Sequence, residues 1–211
     1  MSYRVNEIFL SLQGEGYWTG TPMVFLRLSG CNLSCPFCDT DHASFTEMTA
    51  DEIVARVREV SGGCDTVCIT GGEPTLQLDR ELVDAISQAG YDTNLETNGT
   101  GEIPFGLSWV TVSPKTGMSG VRGDASLKIQ HIDELKIVFK GWTNEASRQL
   151  EEARIESFSR LSVPAYCRFL QPCDTGNTAR NREVTLQCVE YIKKHPQWHL
   201  SLQTHKFIHI Q

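Results

Sequence analysis

The sequence predicts an α/β fold, an incomplete βα barrel in a single domain spanning residues 1–211, and three observations carry that expectation. Short β-rich runs alternate with helical stretches along the chain, which implies parallel strands joined by right-handed crossovers. The 211 residues suit one core but fall short of the roughly 250 of a full eight-fold barrel. No internal repeat, low-complexity tract or Pro/Ser-rich linker divides them. An open doubly wound sheet satisfies the same pattern and stands as the alternative.

The elements follow in order. Pro22–Ser29 (PMVFLRLS) reads as a mostly buried strand. Thr49–Glu52 is a capping-box pattern that opens a helix with Ile53, Val54, Val57 and Val60 on its apolar side, ended by Gly62–Gly63. Asp65–Thr70 is the next strand, Asp79–Ala89 the next helix, stopped by Gly90, and Tyr91–Thr97 the strand after it. Further strands are expected at Trp109–Ser113, Glu134–Phe139, Ala165–Leu170 and Trp198–Gln203, with helices at Asn144–Ser157 and Asn181–Lys194 between the later ones.

Composition narrows the function. At 40% hydrophobic residues the chain can bury a core, and a net charge of −7 argues against a nucleic-acid backbone as partner. No run approaches the roughly 20 apolar residues of a membrane helix, and MSYRVNEIF has no signal-peptide apolar segment. The expected location is the cytosol, with no membrane association. There, eight cysteines point to metal or catalytic chemistry before disulfides.

Three of them lie in Cys31-Asn-Leu-Ser-Cys35-Pro-Phe-Cys38, a C-x3-C-x2-C loop directly after a predicted strand. Soft thiolates are the usual ligands of iron–sulfur clusters, and three on one loop can hold three corners of a cubane while leaving the fourth iron open to a small molecule. Gly30 lets the chain turn sharply out of the strand, and Pro36 stiffens the loop. A structural zinc site or ordinary buried thiols are the competing explanations, although structural zinc normally takes four ligands. Gly71-Gly72-Glu73-Pro74 follows the next strand; alone it reads as a βα turn. Cys64 and Cys68 flank a buried strand, and Cys167 and Cys188 read as small core residues. No second C-x2-C run supports an auxiliary cluster. His131, His195, His199 and His209 show no ligand spacing.

The cysteine loop together with Gly-Gly-Glu-Pro resembles the radical S-adenosylmethionine superfamily, and the implied fold is that superfamily's trimmed barrel. The resemblance implies a 4Fe–4S cluster on Cys31, Cys35 and Cys38, whose open iron binds S-adenosylmethionine; reductive cleavage then yields a radical that abstracts hydrogen from substrate. Ser11-Leu-Gln-Gly-Glu-Gly16, Arg27 and Thr204-His205-Lys206 extend the likeness nearly end to end to the 7-carboxy-7-deazaguanine synthases. That family is a set of magnesium-using homodimeric lyases of queuosine-precursor biosynthesis that act on a carboxytetrahydropterin.

Position by position, the resemblance assigns Leu12, Gln13, Gly14, Glu15, Arg27, Thr70, His205 and the final residue, Gln211, to the substrate. It assigns Phe37, Cys38, Asp39, Gly72, Glu73, Ser113, Pro114, Lys115, Gln171, Pro172, Cys173 and Asp174 to S-adenosylmethionine, and Thr40 to magnesium. No side chain is implied as the catalyst, since cluster and cofactor generate the radical. A flavodoxin-like or other electron donor is the implied partner. Independently, Arg27 sits inside the apolar run Val24–Leu28, where an unpaired charge would be costly. Two other readings remain: a glycyl-radical-enzyme activating enzyme, which shares the cysteine loop, and a non-catalytic metal-binding regulatory module.

Overall fold

A computed structural model describes every residue except His42 and Gln130. Among the described residues, nine strands form one sheet, ordered β3-β1-β2-β4-β5-β6-β7-β8-β9. The parallel body consists of β2 (Pro22–Leu28), β4 (Thr66–Gly71), β5 (Asp92–Thr97), β6 (Trp109–Val112), β7 (Glu134–Phe139), β8 (Arg168–Pro172) and β9 (His199–Leu200). From β2 onward the order never reverses, whereas a doubly wound sheet must switch direction. The strands do not close, so the barrel is incomplete.

Two strands that the sequence reading left out extend the β2 edge. β1 (Ser2–Leu12) runs antiparallel to β2, and β3 (Thr46–Thr49) antiparallel to β1. The register slips between Val5 and Glu7, a bulge that breaks the period-2 alternation by which a strand is recognised. Two further boundaries move. Residues Ala165–Cys167 form a 3-10 turn, with the Cys167 amide donating to Pro164 O, before β8 begins at Arg168. The expected last strand is reduced to His199–Leu200, after which Thr204–Ile208 turns into a short helix, α5.

The helices are capped as the sequence requires. α1 (Ala50–Val60) carries the full capping box between Thr49 and Glu52, and α2 (Arg80–Gln88) is capped by Asp79. α3 (Glu145–Ser157) is capped by Asn144, and α4 (Thr178–Lys194), by Asn177, so α4 starts three residues before Asn181.

Alternation along each strand divides the sheet into two faces. Val24, Leu26, Val67, Ile69, Leu95, Val110, Val112, Leu135, Ile137 and Leu170 join the helices in the main core, each contributing roughly 1.5–3 kcal/mol by burial. The intervening residues point the other way: Arg27, Thr70, Glu96, Thr111, Lys136 and Gln171 all line one cavity. No described helix is long and apolar enough to cross a membrane.

Candidate active site

That cavity, of about 850 Å³, lies where the parallel strands end, and the cysteine loop forms part of its wall. Barrel enzymes build their sites at this rim. Of the residues singled out above, it gathers Gln13, Glu15, Arg27, Cys31, Cys35, Phe37, Cys38, Asp39, Thr40, Thr70, Gly72, Ser113, Lys115, Gln171, Pro172, Cys173, Asp174, His205 and Gln211. Leu12, Gly14, Glu73 and Pro114 do not line it. Cys64, Cys68, Cys167 and Cys188 lie outside it as well, the last three buried.

The cysteine loop is braced from below by the Gly-Gly-Glu-Pro turn. Gly30 takes φ 91° and Gly71 φ 148°, both costly for a side-chain-bearing residue. A Cβ at Gly71 would sit 2.0 Å from Leu28 O, and one at Gly72 would sit 2.2 Å from Gly30 O. That closeness lets the Gly72 amide donate to Leu28 O (3.1 Å) and the Glu73 amide to Gly30 O (2.9 Å). Glu73 itself is only 1% exposed. Its carboxylate accepts from Thr75 N and Oγ1, Thr97 Oγ1 and Asn98 N. These donors occupy both oxygens, so Glu73 fixes the turn and is not part of the cavity wall. Asn98 and Thr100 in turn hold Asn32 of the cysteine loop, at 3.1 and 2.7 Å.

The donor set fits a cluster. All three loop cysteines are free thiols, and Cys31 Sγ accepts from the Leu33 amide at 3.4 Å, the kind of contact that stabilises a ligating thiolate. Burial pushes the Cys31 and Cys35 thiols above their usual range, and coordination displaces that proton. Among the described residues no three His, Cys, Asp or Glu side chains converge as ligands of one ion; a cubane takes one thiolate per corner and asks for no such convergence.

The Leu12–Gly16 loop is clamped from two sides. A Cβ on Gly14 would meet His205 Nδ1 at 2.1 Å, and one on Gly16 would meet Glu134 Oε1 at 1.9 Å. Between them Glu15 receives Lys136 Nζ at 2.5 Å and Gln203 Nε2 at 2.9 Å. Lys136 also donates to Glu96 (3.2 Å), which accepts from Gln13 and Thr70. Burial alone raises the Glu15 carboxyl, but the Lys136 ammonium outweighs it and holds the group at about 2. Burial pushes Glu134, on the same face of β7, up to about 7. Arg27 is not unpaired: its Nε donates to Glu7 across the β1–β2 ladder at 2.7 Å.

The C-terminal segment straps this arrangement together. Thr204 N and Oγ1 both donate to Gly14 O. Lys206 Nζ bridges Asp39 of the cysteine loop (2.8 Å) and Asp174 beyond β8 (2.9 Å). The Gly176 amide and Lys206 hold Asp174 well below the usual carboxylate range. Gln211 Nε2 donates to Glu7. The Lys206 pairs are half-exposed and worth under about 1 kcal/mol each. Lys206→Ala, which removes both, is expected to lower Tm by less than about 8 °C yet raise amide exchange at position 206 and Ile210 several-fold. Exchange at wild-type rates would mean that the strap is held elsewhere.

Comparison with known proteins places this geometry. Residues 26–117 match the model of the Radical SAM superfamily. Along its whole length the chain is 46% identical to 7-carboxy-7-deazaguanine synthase of Bacteroides thetaiotaomicron, with all of both sequences covered. The chain belongs to the 7-carboxy-7-deazaguanine synthase family. The synthase of Bradyrhizobium diazoefficiens is 39% identical, again over all of both chains. The crystal structure of QueE from Escherichia coli aligns with a TM-score of 0.74 and 29% identity, covering 97% of this chain and 95% of that one. As a radical S-adenosylmethionine enzyme of this family, the chain requires the 4Fe–4S cluster and S-adenosylmethionine.

Several wall residues of this family member escaped the sequence reading: Glu7, Glu96, Lys136 and Gln203, while Lys206 was noted only as part of the Thr204–Lys206 segment and given no role. A usable signal existed for Lys136. It interrupts the apolar run Leu135–Phe139 as Arg27 interrupts Val24–Leu28. Removing one partner of a buried pair costs about 3–5 kcal/mol, so a charge in such a run marks a partner across the barrel.

Proposed function

We propose that this chain, as a single domain, converts 6-carboxy-5,6,7,8-tetrahydropterin to 7-carboxy-7-deazaguanine, with ring contraction and loss of ammonia, in queuosine-precursor biosynthesis. The observation that carries this reading is one cavity wall that holds the three loop thiols together with Gln13, Glu15 and Arg27, in a chain 46% identical to a named synthase throughout. When bound, the cluster and S-adenosylmethionine supply the hydrogen-abstracting chemistry, with an electron from a flavodoxin-like or other donor. The residues of the chain bind and orient. Gln13 and Glu15 offer an amide and a carboxylate to the aminopyrimidinone edge. Arg27, with only its Nε engaged by Glu7, turns the rest of its fork to the substrate carboxylate. Thr70, His205 and Gln211 complete that pocket. Phe37–Asp39, Gly72, Ser113, Lys115 and Gln171–Asp174 surround S-adenosylmethionine, and Thr40 gives magnesium an oxygen ligand beside the substrate. The working form is a homodimer.

The test is anaerobic reconstitution followed by incubation with the carboxytetrahydropterin. The deazaguanine product and ammonia are expected; deoxyadenosine without a deazaguanine product would overturn the substrate and keep the radical chemistry. Arg27→Ala should weaken pterin binding about tenfold to a hundredfold, the loss of a charge-assisted bidentate contact. Calorimetry on the oxidised holoenzyme measures this, and an unchanged Kd would remove Arg27 from the site.

A further inference from the structure

We propose that Lys136 is a positioning residue that sets substrate orientation: its buried ammonium, bridging Glu15 and Glu96, keeps two carboxylates charged side by side on the cavity wall, facing the N–H donors of the substrate's guanidine-like edge. This rests on the aminopyrimidinone reading above. Lys136 is 5% exposed and reaches Glu15 Oε2 at 2.5 Å and Glu96 Oε1 at 3.2 Å. Two carboxylates share one ammonium, so this end of the cavity carries a net negative charge. The opposite tendency lies at Arg27, whose Nη groups make no other hydrogen bond among the described residues beyond the Nε contact to Glu7. A molecule with N–H donors at one end and a carboxylate at the other is thereby aligned in one direction only.

Gln13 and Thr70 donate to Glu96, and Gln203 to Glu15. Neutral donors of this kind orient the carboxylates without neutralising them; Lys136 supplies the charge that lets them lie together. Without it, two neighbouring carboxylates share a proton, as like charges at close range do. The protonated one then presents a donor where the substrate needs an acceptor. The other ionisable groups facing the cluster are Glu134 on the same strand, Cys68 on β4, Arg27 on β2, Lys115 beyond β6 and His205 on α5. Of these, Glu134 is pushed up to about 7 by burial against the lowering pull of Lys136, so replacing Lys136 raises it further and the infrared test must remove it.

Lys136→Met is the test, read two ways on the holoenzyme. In a Glu134→Gln background, infrared spectra between about pH 8 and pH 6 should show a protonated-carboxyl band that the background alone lacks, and it should vanish once Lys136→Met is combined with Glu96→Gln. Pterin Kd should weaken by about tenfold and weaken further as pH falls, more steeply than in wild type. No additional band, or a Kd within about twofold of wild type at every pH, would overturn the proposal. Should Lys136→Met not fold, the double variant, relieved of one carboxylate, should fold and melt higher; a double variant no more stable than the single one also overturns it. If wild type itself fails to bind the pterin, the functional reading falls, and the infrared arm, which needs no substrate, still decides the role of Lys136.

Discussion

Replacing Cys35 by alanine should leave the anaerobically purified protein with almost no iron and no turnover. A cluster held by three thiolates from one loop has no spare protein ligand, and two corners cannot fix a cubane against loss to solvent. Of the remaining cysteines, Cys64, Cys68, Cys167 and Cys188 lie outside the cavity, and Cys173, on its wall beyond β8, is buried and belongs to a different segment. The measurement is iron and sulfide per chain after reconstitution, about four of each in wild type, with the brown absorbance and product formation followed in parallel. Cys188→Ala is the control. That thiol is fully buried on α4, so its loss should cost stability by cavity formation without touching the iron content. Cys35→Ala with its iron and turnover intact would refute the ligand set.

How far the sequence announces such a site depends on whether the signal is local. The capping box at Thr49 and the C-x3-C-x2-C loop are each written within a few residues, and each stands where it was expected; the helix expected from Asp79 begins one residue on, with Asp79 as its cap. β1 is different. Its bulge between Val5 and Glu7 offsets the alternation, so Tyr3 and Val5 face the core on one period and Ile8 on another. β3 is four residues long with none buried, and it exists because β1 offers it an edge. The polar half of the site is non-local in the same sense. Glu15, Glu96, Lys136 and Gln203 come from four separate segments, and only the sheet order brings them within hydrogen-bonding distance. Arg27 was legible as a charge in an apolar strand, but its Glu7 partner lay on the strand that the bulge concealed. Glu73 carries a different lesson. Its motif was visible, yet a carboxylate that looks available in a turn engages both its oxygens with Thr75, Thr97 and Asn98.

Gly72→Ala should strip the protein of most of its cluster although every cysteine is kept. The new methyl would lie 2.2 Å from Gly30 O, 2.7 Å from Gly30 C and 3.0 Å from Cys31 Cβ. The first two contacts are with backbone that cannot swing aside, so the strand exit carrying the first ligand must move. Moving it also lengthens the Glu73 amide bond to Gly30 O, which ties the two turns to each other. Overpacking of this kind costs about 1–3 kcal/mol, enough to lower Tm without unfolding the chain at room temperature, whereas ligand geometry tolerates far less displacement than stability does. Iron content should therefore fall by more than half while circular dichroism stays native. Gly90→Ala separates this from ordinary glycine strain. Gly90 has φ 94° and nothing within 4 Å of a built Cβ, so its replacement should cost about 1 kcal/mol and leave iron at the wild-type level. Equal iron in the two variants would mean that the glycine pair serves the turn alone; a difference confined to Gly72→Ala would establish that Gly-Gly-Glu-Pro works first as the brace that holds the cysteine loop against the barrel.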